Sequence, residues 1–393
     1  MGSRGAFTRP IVTCFGISAV IHAVTYLLSS ILPLHVAALG GSKTQIGMLF
    51  SVSTAVSMVL RPVVGGWNDR YGFRPVVLPG VVVLLLTLLA LPWARTPAAV
   101  IVLMAGLGLS NGLVSTSAGV LVARASRPEH RGEALSLYYV ASSLGWAIGP
   151  PIGLALYRTG GTGPSFVVAV GMAIVIGLLV WSLTDPATLA VPGANGGVRF
   201  YSRRAVPVAS ALMLTTLGQS SVYAFLPLYA MAEGTGQNIG WFYALFSAWL
   251  IGCRIALRRA PDRVGYAPVV TAAMGLIALG YLALAIPPIV PSLAVGALLL
   301  ASGAALLYPT LVALLVDRTP ETERGLAIGT LSASFDVGVV LGSLLIGFTV
   351  ERTSYAVGFG LAGAMASVGL ATFLATERAR RRIVGRPSAG VSF

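Results

Sequence analysis

The stretch DRYGFRPVV at residues 69–77 returns as DRVGYAPVV at residues 262–270, an offset of 193 that is close to half of the 393-residue chain. The same offset relates Arg61 to Arg254. Because one offset fits both matches, insertions and deletions have barely disturbed the spacing between them. The chain is therefore predicted to be two copies of one unit of about six elements.

Composition indicates that these elements lie in a membrane. The chain is 56% apolar and 10% charged, with a mean hydropathy of +0.86, which is more apolar side chain than a soluble protein of this size can bury. The apolar runs are continuous rather than alternating, which argues against a membrane β-barrel. A span needs roughly 20 apolar residues, and twelve such stretches are predicted as transmembrane helices: 11–37, 44–66, 75–94, 98–123, 133–156, 164–184, 205–231, 237–258, 267–287, 290–316, 326–350 and 355–376.

The distribution of positive charge predicts the orientation. With a cytoplasmic N-terminus, 22 Lys and Arg residues fall in the tails and cytoplasmic connections, and only Lys43, Arg95, Arg158 and Arg352 fall outside. This bias is the positive-inside pattern, so both termini are predicted to be cytoplasmic. The basic C-terminal tail is interpreted as an anchor on anionic membrane lipids rather than a site for RNA or a protein partner.

The domain organisation follows from the repeat. Residues 1–184 are predicted to form one six-helix bundle and residues 205–376 the other. Residues 185–204, rich in Pro, Gly and Ala, are predicted to be a flexible cytoplasmic linker. Residues 377–393 form the basic tail. Relative motion of the two bundles is the expected large-scale freedom.

The connection between the second and third stretches carries a family resemblance. It reads Gly65-x3-Asp69-Arg70-x-Gly72-x-Arg74 and resembles motif A of the major facilitator superfamily. The resemblance implies an all-α membrane fold of twelve transmembrane helices in two pseudo-symmetric six-helix bundles. It also implies a gating motif, whose second copy retains Asp262, Arg263 and Gly265.

Physical chemistry suggests how this motif can act. Gly65 and Gly72 permit a tight turn and close approach of helices. Asp69 can interact with Arg70 or with the positive N-terminal end of a helix, as a latch that closes the cytoplasmic side. The alternative is that the arginines only enforce topology.

The fifth stretch contains a second motif, Gly145-x3-Gly149-Pro150-x2-Gly153. It resembles motif C, which is associated with the drug:proton antiporters of the same superfamily. The residues themselves predict a kinked, closely packed helix interface, and a role in the direction of transport is compatible with that packing. The fourth stretch departs from the family pattern, because Gly108 stands where motif B has an arginine.

Asp336 is the strongest chemical signal. At about 1.5 Å per residue from Leu326, it lies roughly 15 Å into the eleventh stretch. A charge at that depth costs about 2.5–3.5 kcal/mol, so the carboxyl should face a cavity, find a partner or be protonated. We expect it to carry a coupling proton, with His22 sharing the proton, pairing with Asp336 or binding substrate. The alternatives are a neutral, hydrogen-bonded Asp and a packed His.

Polar side chains at intermediate depth are candidates to line a substrate cavity with apolar walls. Hydrogen bonding between helices is the alternative role for each. So few charges favour a neutral, amphipathic or cationic organic solute. The candidates are Tyr26, Asn111, Tyr139, Gln219, Tyr223 and Tyr308.

No enzyme motif is present, and neither a phosphate loop nor a metal-binding cluster is recognisable, so no cofactor is expected. The sequence predicts a monomeric, alternating-access secondary transporter in a bacterial cytoplasmic membrane, with small-molecule substrate, protons and membrane lipids as its partners. Proton-coupled export of a small organic molecule is the favoured function. The alternatives are a proton-coupled importer of a sugar or other nutrient, a lipid or amphiphile flippase, and a transport-inactive membrane receptor.

Overall fold

A computed structural model of the chain describes residues 9–126, 131–183, 201–234, 239–286, 290–320 and 323–384. The side chains at 69, 131–137, 139 and 382–384 are not among the described ones. Most of the predicted linker and the end of the predicted tail therefore lie outside the described residues. The division of the chain at 185–204 stays a prediction.

The described residues are almost all helical, and no strand occurs among them. Ten of these helices are long and apolar enough to cross a bilayer. This confirms the expected all-α membrane fold. The helices are Arg9–Ala38 (α1), Lys43–Tyr71 (α2), Phe73–Ala90 (α3), Pro97–Ala125 (α4), Arg131–Gly160 (α5), Thr162–Ser182 (α6), Val206–Thr216 (α7), Gln219–Ala224 (α8), Leu226–Ala232 (α9), Gly240–Ala256 (α10), Ala260–Val264 (α11), Tyr266–Ala285 (α12), Val290–Arg318 (α13), Arg324–Arg352 (α14) and Tyr355–Val384 (α15).

The seventh predicted span is broken rather than continuous. It consists of α7, α8 and α9, and the chain bends by 51° where α9 begins. Pro227 lies in the first turn of α9 and has no N–H to donate to the carbonyl of Tyr223, which interrupts the helical ladder. The eighth span, α10, has 17 residues and is shorter than the others. The predicted count of twelve is reached only when both are included.

Local sequence explains how α2 begins and ends. The Ser42 side chain accepts from the backbone N–H of Gln45 at 3.1 Å, and the Gln45 side chain accepts from the Ser42 N–H at 2.9 Å, forming a capping box. At the other end Gly72 has a φ of +86°, and its repeat counterpart Gly265 has a φ of +94°. Glycine adopts this conformation without a Cβ clash, so the tight turn predicted for the motif is present in both copies.

The repeat in sequence is also a repeat in packing. In the first half α1 packs on α5, α2 on α4, and α3 on α4 and α6. In the second half α7 packs on α14, α10 on α13, and α12 on α13 and α15. Each of these contacts has its counterpart at the offset of 193 residues, which supports two pseudo-symmetric halves.

Glycines of the second motif lie where α5 crosses α1. A methyl group on Gly145 would lie 2.6 Å from the backbone nitrogen of Ala23, and one on Gly149 would lie 2.7 Å from the Ala23 carbonyl oxygen. One on Gly153 would lie 2.8 Å from the Ser30 hydroxyl. These positions allow the two backbones to approach closely. The same is not true of Gly65: no atom of the described residues lies within 4 Å of such a methyl group, so the structure shows no close approach of helices there and this expectation stays a prediction.

The two halves meet through α2 with α14 and through α5 with α10. At the end of the molecule where α2 begins, here called the Lys43 end, the backbone N–H of Thr44 donates to the Glu351 carboxylate at 3.0 Å. Deeper along the same crossing, the Ser343 hydroxyl donates to the Gly47 carbonyl at 2.6 Å. Toward the opposite end, here called the Tyr71 end, α2 exposes apolar side chains, including Trp67.

Candidate functional site

A cavity of about 180 Å³ lies between the two halves. Its walls come from α1, α2 and α4 of the first half and from α8 and α14 of the second. Six of the predicted site residues line it together. They are His22, Tyr26, Asn111, Gln219, Tyr223 and Asp336.

The carboxylate of Asp336 forms an ion pair with the guanidinium of Arg61 across this cavity. Asp336 lies on α14 and is only 4% exposed, whereas 39% of the Arg61 side chain on α2 is exposed. The attraction offsets the cost of holding both charges within membrane-spanning helices. The pair also joins the two halves, because α2 and α14 belong to different repeats.

Two sequence expectations are corrected by this pair. His22 lines the same cavity, but its Nδ1 is 2.7 Å from the Ser18 carbonyl oxygen of its own helix, so the partner of Asp336 is Arg61 rather than His22. The count of basic residues placed Arg61 and Arg254 in cytoplasmic connections, yet Arg61 lies ten residues before the end of α2, whereas Arg254 lies in the last turn of α10. Arg61 therefore does not contribute to the positive-inside bias, which the remaining basic residues still support.

Hydrogen bonds fix the polar wall contributed by α4. The Asn111 amide donates to the Thr25 hydroxyl on α1 at 3.2 Å, and its oxygen accepts from the Ser115 hydroxyl at 2.9 Å. On the facing wall Ser57 of α2 and Ser220 of α8 have buried hydroxyls without a hydrogen-bond partner. Such unused polar groups give a cavity the capacity to bind a polar solute.

One side of the cavity ends in an aromatic cluster. The ring of Tyr26 lies 5.5 Å from that of Tyr223 and 6.0 Å from that of Trp146. Trp146 in turn packs against Phe246 of α10 at 4.1 Å in an edge-to-face arrangement. The Trp146 indole nitrogen is buried without a hydrogen-bond partner. The cluster supplies flat apolar surface beside the charged pair.

The remaining predicted cavity residues are placed differently. Tyr308 does not line the cavity, and its hydroxyl lies 2.6 Å from that of Ser332 on the neighbouring helix α14. The side chain of Tyr139 lies outside the described residues. Among the residues that are described, no three His, Cys, Asp or Glu side chains group to hold a metal ion.

The gating motif makes its visible contacts within the first half. Arg74 donates from Nη2 to the carbonyl of Trp181 at 2.7 Å and to that of Leu183, at the C-terminal end of α6. A cation is favourable there because the last carbonyls of a helix lack internal partners. The Arg70 guanidinium lies 5.3 Å from the ring centre of Tyr71.

The second copy of the motif lies at the protein surface. Asp262 and Arg263 are both exposed. The side chain of Asp69 lies outside the described residues, so the latch stays a prediction.

Arg61 is the main residue that sequence reasoning missed. The repeat contains it, but spacing alone does not reveal its depth in the membrane. Ten residues separate it from Tyr71 at the end of α2, which corresponds to about 15 Å of helix. Counting helix residues to estimate depth, as was done for Asp336, identifies Arg61 as a deep cation when it is applied to basic residues too. Trp146 and Phe246 carry no such signal, because neither side chain carries a charge whose burial in a membrane would need a partner.

Comparisons with known proteins agree with this architecture. An uncharacterised MFS-type transporter of Burkholderia pseudomallei (strain 1106a) is 27% identical over 364 residues, covering 89% of this chain and 88% of the relative. The staphylopine export protein of Staphylococcus aureus (strain Mu50) is 22% identical over 360 residues, covering 88% and 90%. The solved structure of the nucleoside transporter NupG superposes with a TM-score of 0.77 at 14% identity, covering 93% and 99%.

The family model for the Major Facilitator Superfamily matches residues 14–290 and again residues 208–393. Together the matches span both repeats. Members of this family are transporters and not enzymes. The multi-pass helical architecture, the repeat and the cavity between the halves all agree with these matches, and the chain belongs to the Major Facilitator Superfamily.

Proposed function

We propose that the chain is a proton-coupled secondary transporter that exports a small organic molecule across a bacterial cytoplasmic membrane by alternating access. The observation that carries the proposal is the buried carboxyl of Asp336 at the cavity between the two halves. A titratable group that can meet either side of the membrane is what coupling to protons requires.

The ion pair suggests how protonation acts on the conformation. When Asp336 is ionised, its attraction to Arg61 holds α14 against α2 at the level of the cavity. When it takes up a proton, that attraction is lost and Arg61 becomes available to solvent or substrate. The two protonation states thereby favour different arrangements of the two halves, which is the requirement for a population shift.

The direction of transport rests on the topology and on a relative. With cytoplasmic termini, the Lys43 end faces outward and the Tyr71 end faces the cytoplasm. Hydrogen bonds across the Lys43 end then correspond to an outer closure, and we expect a solute to enter the cavity from the cytoplasmic side. The likeness to a staphylopine exporter favours export over import.

Everted membrane vesicles allow the proposal to be tested with many candidate solutes. Respiration acidifies the vesicle lumen, and a pH-sensitive acridine dye reports the gradient. Neutral, cationic, zwitterionic and anionic organic molecules are added in turn, and an exchanged solute should consume part of the gradient. Vesicles containing the Asp336→Asn variant should lose this response, because an amide has the size of a protonated carboxyl but cannot release a proton.

The matched control is His22→Gln, which removes a second titratable group from the same cavity. Loss of the response there as well indicates a shared proton site, and a normal response leaves Asp336 as the carrier. An equal response in the parent and the Asp336→Asn variant contradicts the proton-carrier role.

A further inference from the structure

The ion pair at the cavity has a counterpart in the other repeat. The offset of 193 residues relates Arg61 to Arg254 and Ser143 to Asp336. In the structure Arg254 of α10 donates from Nη1 to the Ser143 hydroxyl on α5, just as Arg61 of α2 donates to Asp336 on α14. The same arginine bridge therefore occurs twice across the two halves.

The two bridges differ in charge. Asp336 neutralises Arg61, whereas the hydroxyl of Ser143 brings no charge to Arg254. No acidic side chain among the described residues lies within ion-pairing distance of Arg254. Its Nε is buried and has no hydrogen-bond partner. Arg254 lies in the last turn of α10 and is partly exposed, so a cation without a counter-charge among the described residues is accessible there to an anion from outside the protein.

Arg254 and Ser143 lie outside the lining of the cavity, and Trp146 lies between them and the cavity wall. Trp146 lies one turn from Ser143 on the same face of α5. Its ring contacts Phe246 on the helix of Arg254 and Tyr26 and Tyr223 on the cavity wall. The buried indole N–H of Trp146 is an unused donor within the same cluster. Along the contact between α5 and α10, the guanidinium and the Ser143 hydroxyl are therefore followed, one turn further along α5, by a neutral donor and flat apolar rings.

We propose that Arg254 binds a carboxylate of the transported molecule, with the Ser143 hydroxyl beside it and the aromatic cluster packed against the apolar part. This inference rests on the proposed function, because it names the substrate class of the proposed transporter and places the site for its carboxylate beside the cavity. It narrows the neutral, amphipathic or cationic solute expected from sequence to an amphipathic organic molecule that carries a carboxylate.

The site can be tested by fluorescence in a chain whose one tryptophan is Trp146, with Trp67, Trp93, Trp181, Trp241 and Trp249 replaced by Phe. Iodide is an anionic quencher and acrylamide a neutral one. Iodide should quench Trp146 efficiently in the purified protein, and sodium benzoate should protect against it. Benzamide, which has the same ring without the charge, should not protect.

Substitutions in the same single-tryptophan chain identify the anion's partner. Ser143→Asp supplies an internal carboxylate and reproduces the Arg61–Asp336 pair, so the protein should fold and iodide should quench about tenfold less. Arg254→Gln should have the same effect on iodide. Ser143→Asn has the size of the aspartate variant without its charge and should retain iodide quenching. Quenching by acrylamide should be similar in all of them.

Equal quenching by iodide in the parent and the Ser143→Asp variant overturns the site, and failure of benzoate to compete overturns the carboxylate. These readouts are independent of transport, since every variant retains Asp336. If these measurements contradict the anion site while the vesicle response is normal, only this inference is refuted. A working site without any response to the proton gradient instead counts against the proposed function.

Discussion

Arg61 and Asp336 show how the protein tolerates charge within its spanning helices. Asp336 is almost fully buried, so its ionised form is stabilised chiefly by the guanidinium opposite. Arg61 keeps contact with the cavity through its exposed part. Replacing one member of the pair should therefore destabilise the protein more than replacing both, because a single substitution leaves the other charge without a partner.

A double-mutant cycle measures this coupling. Arg61→Gln should destabilise the protein by about 1–3 kcal/mol, less than a fully buried pair, because part of the arginine is exposed. Arg61→Gln combined with Asp336→Asn should recover much of that loss. The measurement is thermal unfolding of the purified protein in detergent. Additive losses in the double variant indicate that the two side chains do not stabilise each other.

At the scale of elements, the crossing of α1 and α5 depends on glycine. The crossing of α7 and α14 repeats it, since Gly338 and Gly342 stand 193 residues after Gly145 and Gly149. A methyl group on Gly338 would lie 2.5 Å from the Met213 carbonyl oxygen. Because backbone atoms cannot rotate away as a side chain can, each added methyl must separate two helices.

Alanine at these positions is the direct test. Gly149→Ala should destabilise the protein by about 1–3 kcal/mol, since overpacking forces the backbone to shift. Gly65→Ala is the matched control, because nothing lies within 4 Å of the added methyl group and alanine favours helix. The comparison uses the midpoint of thermal unfolding. A loss at Gly65 as large as that at Gly149 indicates a general effect of replacing glycine in a membrane helix.

At the scale of the whole molecule, the two halves are closed on each other at the Lys43 end. Gly47 of α2 packs against the backbone of Ser343 and Gly347 on α14. The contact requires a hydrogen atom as the side chain on α2. A larger residue there should act as a wedge, shifting the equilibrium toward the state that is open at this end.

Gly47→Leu is expected to raise access to the cavity from the Lys43 end. The reporter is Ser53→Cys on the cavity wall in a chain without Cys14 and Cys253, labelled from outside intact cells with a membrane-impermeant reagent. Each 1.4 kcal/mol by which the leucine destabilises the closed state changes the ratio of open to closed protein about tenfold. Gly171→Leu, where a methyl group meets nothing, is the control. Labelling that is unchanged by Gly47→Leu shows that this crossing does not hold the closed state.

The orientation has its own test. Cysteines at Thr96, Gly160 and Pro288 should react with an impermeant reagent from outside intact cells, whereas one at Gly193 should react only after the membrane is opened. The reason is the excess of Lys and Arg on the side that carries Gly193. Labelling at Gly193 in intact cells would show that the topology is the reverse of the predicted one.

Particular residues show which features of the fold and the site can be predicted from sequence alone. The offset of 193, read from residues 69–77 and 262–270, predicted the two repeats that the packing of helices displays. The depth of Asp336 predicted a carboxyl that faces a cavity, finds a partner or is protonated, and the structure gives it both a cavity and a partner. The break before α9 was not predicted, because proline is common in membrane helices and its effect depends on the neighbouring helices.

By itself, the sequence determined that this protein is an all-α membrane protein of two repeats with an acidic residue deep in one span. These properties follow from hydropathy, spacing and charge, which act along the chain. The tertiary structure decided that Asp336 pairs with Arg61 and that Arg254 meets a serine. Both contacts join helices far apart in the sequence, and local periodicity carries no information about which side chains meet across the two halves.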